Sequence, residues 1–133
     1  MILVDTNVLL DVVTGDPRWA EWSRRQLTLA AARDDLAIND IVYAELSVRY
    51  TTIEGLDAMI REAGLFSAAI PRPALVLAGK AFQRYRSAGE VRTGVLPDFF
   101  IGAHAVISDW LLITRDAARY RTYFPGILLV APN

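Results

Sequence analysis

The segment ILVDTNVLLDVVTG, residues 2–15, contains a whole strand-to-helix junction. Ile2-Leu3-Val4 is a short apolar run that reads as a buried strand. Asp5-Thr6-Asn7 follows, and either Thr6 or Asn7 is the expected N-cap. Val8, Leu9, Leu10, Val12 and Val13 then carry the apolar face of a helix that stops near Gly15.

The same alternation continues down the chain. Asp16-Pro17 reads as a cap followed by a first-turn proline, opening a helix over 18–33. A second strand is expected over 36–38. Asn39-Asp40 caps a helix over 41–50, and another covers 53–63, stopping at Gly64. A third strand is expected over 65–70. Ala74, Leu77, Ala78, Ala81, Phe82 and Tyr85 recur at helical spacing within 72–88, and Gly89 marks the end of that helix. Residues 94–96 read as loop, and Pro97 starts a helix running to about Asp109. A strand over 110–114, a short helix over 117–121 and a last strand over 127–130 complete the order. Short apolar strands alternating with helices define an α/β fold. It has a mostly parallel central sheet of about four to five strands, flanked by helices on both faces.

The length of 133 residues suits one domain, 1–133, and just over half the residues are hydrophobic. Cysteine is absent, which excludes disulfides, thiolate metal sites and cysteine nucleophiles within this sequence and fits a cytoplasmic protein. The first apolar run ends at Asp5, too soon for the core of a signal peptide, and no later run approaches a membrane span. The net charge of −1 argues against a protein that coats nucleic acid through bulk charge. Lys80 is the only lysine, so the positive charge is almost all arginine, whose planar fork matches phosphate oxygens.

Four acids occupy suggestive places. In an open α/β sheet, sites lie beyond the carboxyl ends of the strands. Asp5 directly follows the first strand, and Asp116 follows Leu111-Leu112-Ile113 by two polar steps. Each alone also reads as a surface-loop aspartate. Glu45 shares a largely apolar stripe with Ile41, Val42 and Val48, and Asp98 lines up with Ile101, Gly102 and Ala105. A charge on such a stripe is costly unless paired or metal-bound, although acids also offset the dipole of a helix start. Carboxylates converging on one rim repel each other unless a cation neutralises them. An all-oxygen cluster of Asp5, Glu45, Asp98 and Asp116 points to Mg²⁺ or Mn²⁺, ions that activate water in phosphodiester cleavage.

Four blocks, in order, resemble the PIN-domain family. ILVDTNVLLD (2–11) resembles its first strand and helix, with the Asp-x-Asn element at Asp5-Thr6-Asn7. IVYAELSVRY (41–50) resembles the helix bearing its glutamate, at Glu45. PDFFIGAHA (97–105) resembles the helix of its third acid, at Asp98. LLITRDAARYRTYFPGILLV (111–130) resembles the closing segment, with Asp116 as fourth acid. The style of the blocks is most similar to VapC-type toxins of toxin–antitoxin pairs. The resemblance implies a metal-dependent endoribonuclease with Asp5, Glu45, Asp98 and Asp116 as metal ligands and catalytic residues. It also implies an RNA substrate, a cognate antitoxin partner and a homodimer. A housekeeping RNA-processing nuclease and a catalytically silent PIN-like binding module are the alternatives. A phosphatase or haloacid-dehalogenase-type enzyme also opens with a strand and an aspartate, but it carries a second aspartate where Asn7 stands here.

Asn7 and Thr114 flank the expected site and are assigned support roles. His104, the single histidine, reads as a core residue. Arg84, Arg86, Arg92, Arg115, Arg119 and Arg121 are candidates for a phosphate-binding rim, with Arg86 and Arg115 favoured for substrate contact. Apolar surface around 8–13, 19–27 and 53–60 is expected to form part of a groove for an amphipathic antitoxin segment.

Overall fold

The structure, a computed structural model, describes residues 1–89 and 95–132. Along the chain the elements are β1 (Ile2–Val4), α1 (Thr6–Thr14), α2 (Ala20–Ala31), β2 (Leu36–Ile38), α3 (Asp40–Ser47), α4 (Ile53–Glu62) and β3 (Leu65–Ser67). They continue with α5 (Arg72–Ser87), α6 (Leu96–Ser108), β4 (Leu111–Ile113), α7 (Ala118–Tyr123) and β5 (Leu129–Val130). Arg92 and Gly94 lie outside the described residues.

The strands form one sheet in the order β3-β2-β1-β4-β5, and every neighbouring pair is parallel. This is the expected α/β class, with helices on both faces of a wholly parallel sheet. The chain builds outward from β1 to β2 and β3, then crosses back to place β4 on the other side of β1. The order therefore reverses between β1 and β4, where Val4 is in register with Ile113. A crevice opens at such a reversal because the connections leave the two strand ends in opposite directions.

The core explains the apolar pattern of the three inner strands. All residues of β1 and β2, together with Leu112 and Ile113 of β4, are buried. Val8 and Leu9 of α1, Val42 and Leu46 of α3, Leu56 and Ile60 of α4, and Phe99, Ile101, Ala103 and Ala105 of α6 pack against them. Of the apolar residues expected to face a partner, Val8, Leu9, Leu56 and Ile60 are buried, Leu10, Trp19, Trp22, Leu27 and Met59 are half-buried, and Val13 and Ile53 are exposed. Val48, outside those segments, is 83% exposed.

Several boundaries differ from the sequence expectation. β3 ends at Ser67 rather than Ile70, and as an edge strand it leaves Phe66 and Ser67 exposed. Its last sheet bond is Ala68 N–H to the Ile38 carbonyl, after which the chain leads to Pro71 at the head of α5. The segment over 41–50 is helical only to Ser47. Leu96, expected in a loop, begins α6, and Pro97 fits there because first-turn N–H groups have no helical partner. Gly15 closes α1 in the left-handed conformation, φ 63°, where its missing Cβ removes the steric cost.

Candidate active site

Asp5 stands at the reversal point. Its N–H bonds the Ile113 carbonyl at 2.9 Å, carrying the β1–β4 ladder one residue past the strand ends. Its Oδ1 accepts the Thr6 N–H at 2.8 Å, so Asp5 is the N-cap of α1 and the expectation of Thr6 or Asn7 is corrected. The extended backbone at Asp5, φ −71° and ψ 149°, is what permits this; Thr6 and Asn7 are already helical. The other oxygen, Oδ2, accepts from the Thr114 hydroxyl at 2.8 Å, the Tyr120 hydroxyl at 2.9 Å and the Asn7 amide at 3.4 Å. Burial raises the Asp5 pKa above the usual carboxylate range, these bonds oppose the rise, and the charge of Glu45 adds to it.

Glu45 comes from α3, the helix that Asn39 starts by accepting the Val42 N–H at 3.0 Å. One carboxylate oxygen accepts the Thr6 hydroxyl at 2.7 Å, tying α3 to the start of α1. Desolvation raises the Glu45 pKa, the Thr6 bond resists, and the Asp98 charge raises it further.

Asp98 lies in the first turn of α6. Its pKa is pushed up to about 6, first by burial and then by the charge of Asp5, with Asp116 adding and Arg119 opposing. Arg119, from α7, donates to Asp98 and forms an ion pair with it. Asp116 is exposed in the turn after β4, close enough for its charge to act on Asp98. Thr114 shapes that turn, its hydroxyl accepting the Asp116 N–H at 3.1 Å.

Asp5, Glu45 and Asp98 therefore sense one another's charge, and Asp116 joins them at the rim. Their oxygens are donors of the kind a hard divalent cation prefers, and mutual repulsion is what a cation would relieve. Spacing is the point where the site departs from a finished cage. Among the described residues, no three Asp, Glu or His side chains stand close enough to hold a metal ion as placed. Thr6 donates to Glu45, and Arg119 donates to Asp98.

The arginines divide. Arg115 donates to both oxygens of buried Asp11 at 2.9 and 3.0 Å and lies over the Trp19 ring. Ser23 adds a bond to Asp11 at 2.8 Å. This pairing joins the turn after β4 to α1 and leaves the Arg115 side chain 31% exposed. Arg86 is exposed on α5 above Phe82, and Arg84 donates to the Tyr123 carbonyl. His104 is buried, with Nδ1 3.1 Å from the Asn39 amide and its ring against Trp110. It meets none of the four acids through a hydrogen bond.

Thr6, Tyr120 and Gly102 were not singled out for the site by sequence reasoning, and Arg119 was read there only as one of the rim arginines. Thr6 is the middle residue of Asp5-Thr6-Asn7, and Arg119 and Tyr120 follow Asp116 by three and four residues, one helical turn. Burial first, and then the charges of the neighbouring acids, push the Tyr120 pKa well up, so its hydroxyl stays a donor. Gly102 allows α7 to dock: a Cβ there would lie 2.6 Å from Phe124 and 3.0 Å from Tyr120.

The PIN domain model matches residues 2–125. Among curated proteins, none matches the chain in sequence. Solved structures with the same fold include VapBC2 from Rickettsia felis bound to a DNA fragment from its promoter, at TM-score 0.74 and 20% identity over the whole of both chains. A toxin–antitoxin complex from Klebsiella pneumoniae matches at TM-score 0.71 and 23% identity, covering 100% of this chain and 98% of the other. VapBC-1 from nontypeable Haemophilus influenzae matches at TM-score 0.74 and 17% identity, covering 98% of each. At these identities the likeness is one of fold.

Proposed function

The chain belongs to the PIN-domain family, and from that premise we propose that it is a metal-dependent endoribonuclease, the toxin of a toxin–antitoxin pair. What supports the reading is that the charges of Asp5, Glu45 and Asp98 act on one another near the reversal of strand order, where Asp5 stands. Asp5, Glu45 and Asp98 are the residues that would hold Mg²⁺ or Mn²⁺, with Asp116 at the open side. When bound, such an ion supplies Lewis acidity, making water a better nucleophile and offsetting charge on the phosphate.

The protein's own groups do the rest. Thr114, Tyr120 and Asn7 orient Asp5, and Thr6 orients Glu45, so little rearrangement is needed when substrate arrives. The hydroxyls of Thr6, Thr114 and Tyr120 are engaged by Glu45 and Asp5, and water is the expected nucleophile, without a covalent enzyme intermediate. Arg86, and the exposed Arg121, are candidates for holding RNA phosphates. The partner reading draws on the VapBC complexes from Rickettsia felis and Haemophilus influenzae, whose fold this chain shares. A cleft of about 170 Å³ lined by Tyr43, Tyr50, Ile53 and Leu56, beside exposed Val48, suits an apolar anchor of an antitoxin segment. Toxin homodimers paired with antitoxin are the expected assembly.

The test is RNA cleavage by purified protein with Mg²⁺ or Mn²⁺, with EDTA, and by Asp5→Asn. Asp5→Asn keeps the volume and removes the charge, so cleavage should fall by about 10²-fold or more while the far-ultraviolet spectrum is unchanged. Full cleavage in EDTA or by Asp5→Asn would sink the mechanism. A chain that is harmless when expressed alone, and that binds no product of an adjacent small gene, would transfer the assignment to RNA processing.

A further inference from the structure

α7 is a six-residue helix that touches two of the acids at once. Tyr120 reaches Asp5, and its neighbour Arg119 reaches Asp98. Gly102 provides the room for this docking, because the rings of Tyr120 and Phe124 lie where a side chain would otherwise stand. The Arg119 side chain is 17% exposed and that of Asp98 29%. This is a largely enclosed pair, unlike the open Arg25–Glu21 pair on α2.

The charge pattern gives the pair a meaning. Asp98 faces Asp5 and Asp116, both negative, and Arg119 is the positive group in contact with it. Arg119 holds one oxygen of Asp98, Oδ2, so a cation shared by Asp5 and Asp98 meets a carboxylate whose charge the guanidinium already offsets. We propose that Arg119 is an internal counter-ion of the acidic site, holding Asp98 until a divalent cation takes that carboxylate, after which the released guanidinium binds a phosphate of the RNA. The inference rests on the metal reading above and adds to it an order of events. A freed guanidinium at the rim is well suited to the second task, because its fork matches two phosphate oxygens.

Titration calorimetry with Mn²⁺ alone tests the first half. Arg119→Gln should bind Mn²⁺ about tenfold more tightly than wild type, since the ion no longer displaces a charge-assisted pair. Arg25→Gln removes the same charge from an exposed position on α2, and should stay within about twofold of wild type. Arg119→Lys keeps the charge and should also remain near wild type. A purely structural role for Arg119 predicts weaker or equal binding in Arg119→Gln, never tighter. Melting curves confirm that each variant is folded, and if Arg119→Gln is not, Arg119→Met serves in its place. For the second half, at saturating Mn²⁺ the Arg119→Gln KM for single-stranded RNA should rise about fivefold. Equal Mn²⁺ affinity in wild type and Arg119→Gln overturns the counter-ion role and leaves the metal reading standing. No Mn²⁺ binding by any of the proteins overturns both. Tighter Mn²⁺ with an unchanged KM overturns the phosphate-binding half.

Discussion

Gly102→Ala and Gly79→Ala are the same chemical change on two helices, and the structure predicts opposite signs. In a helix interior, alanine is preferred over glycine by about 1 kcal/mol. At Gly79, exposed on α5, an added Cβ meets nothing within 4 Å, so the preference should appear nearly whole. At Gly102 the new Cβ would stand 2.6 Å from Phe124, about 0.8 Å short of the 3.4 Å at which ordinary contact begins. Both rings belong to the α7 region, so it is that segment which must retreat. Overpacking of this kind costs about 1–3 kcal/mol. A retreat of that size also stretches the 2.9 Å Tyr120–Asp5 bond past hydrogen-bond length, and a bond to a charged group is worth about 1.5–3 kcal/mol. After subtracting the gain in helix preference, Gly102→Ala should lose about 3 kcal/mol and melt roughly 10 °C lower. Gly79→Ala should melt roughly 3 °C higher. Urea and thermal melts at matched pH measure both. A Gly102→Ala protein that melts at or above wild type would refute the close docking of α7, and with it the arrangement of Tyr120 and Arg119 at the site.

Two further predictions concern charge. Because the folded pKa of Asp98 is pushed up to about 6, against an ordinary value of 3.8, the folded protein holds the Asp98 proton more tightly than the unfolded chain. Metal-free stability should therefore fall as pH rises from about 4 to about 6 and level off above, by up to about 3 kcal/mol for this group. Melting wild type and Asp98→Asn across that range measures it, and an equal slope in the two proteins would count against the placement. Asp11→Asn should cost about 3 kcal/mol, because it weakens a buried partner of Arg115 and Ser23. In contrast to Asp5→Asn, it should leave RNA cleavage per folded molecule within about threefold, since the Arg115 guanidinium is bonded to Asp11 and makes no hydrogen bond to the four acids. A 10²-fold loss would return Arg115 to the substrate site.

The strand positions were legible because the inner strands are buried on both sides, which leaves an unbroken apolar signature at 2–4, 36–38 and 111–113. The ends were less legible. β3 shortened because pairing at an edge depends on a single neighbour, and β5 keeps only two residues of its expected four. The acids were visible as charges at strand ends or on apolar stripes. The partners of the arginines were not: Arg115 was read beside Asp116 in the chain, yet it crosses to Asp11 on α1. Proximity in sequence says little about a side chain as long as arginine, whose reach exceeds the width of a turn.

By itself, the sequence determined the α/β class, the order of elements and the four carboxylates, because periodicity and charge placement are local properties that each segment carries with it. Only the tertiary structure decided which groups share the crevice. The crossover that sets β4 beside β1 brings Thr114, Arg119 and Tyr120 to Asp5 and Asp98, across as many as 115 positions of chain. Thr6 and Tyr120 have ordinary local contexts, so nothing in their neighbours marks them as hydrogen-bond donors to the acids. The same holds for Gly102, whose missing side chain matters only because two aromatic rings from another helix fill its place.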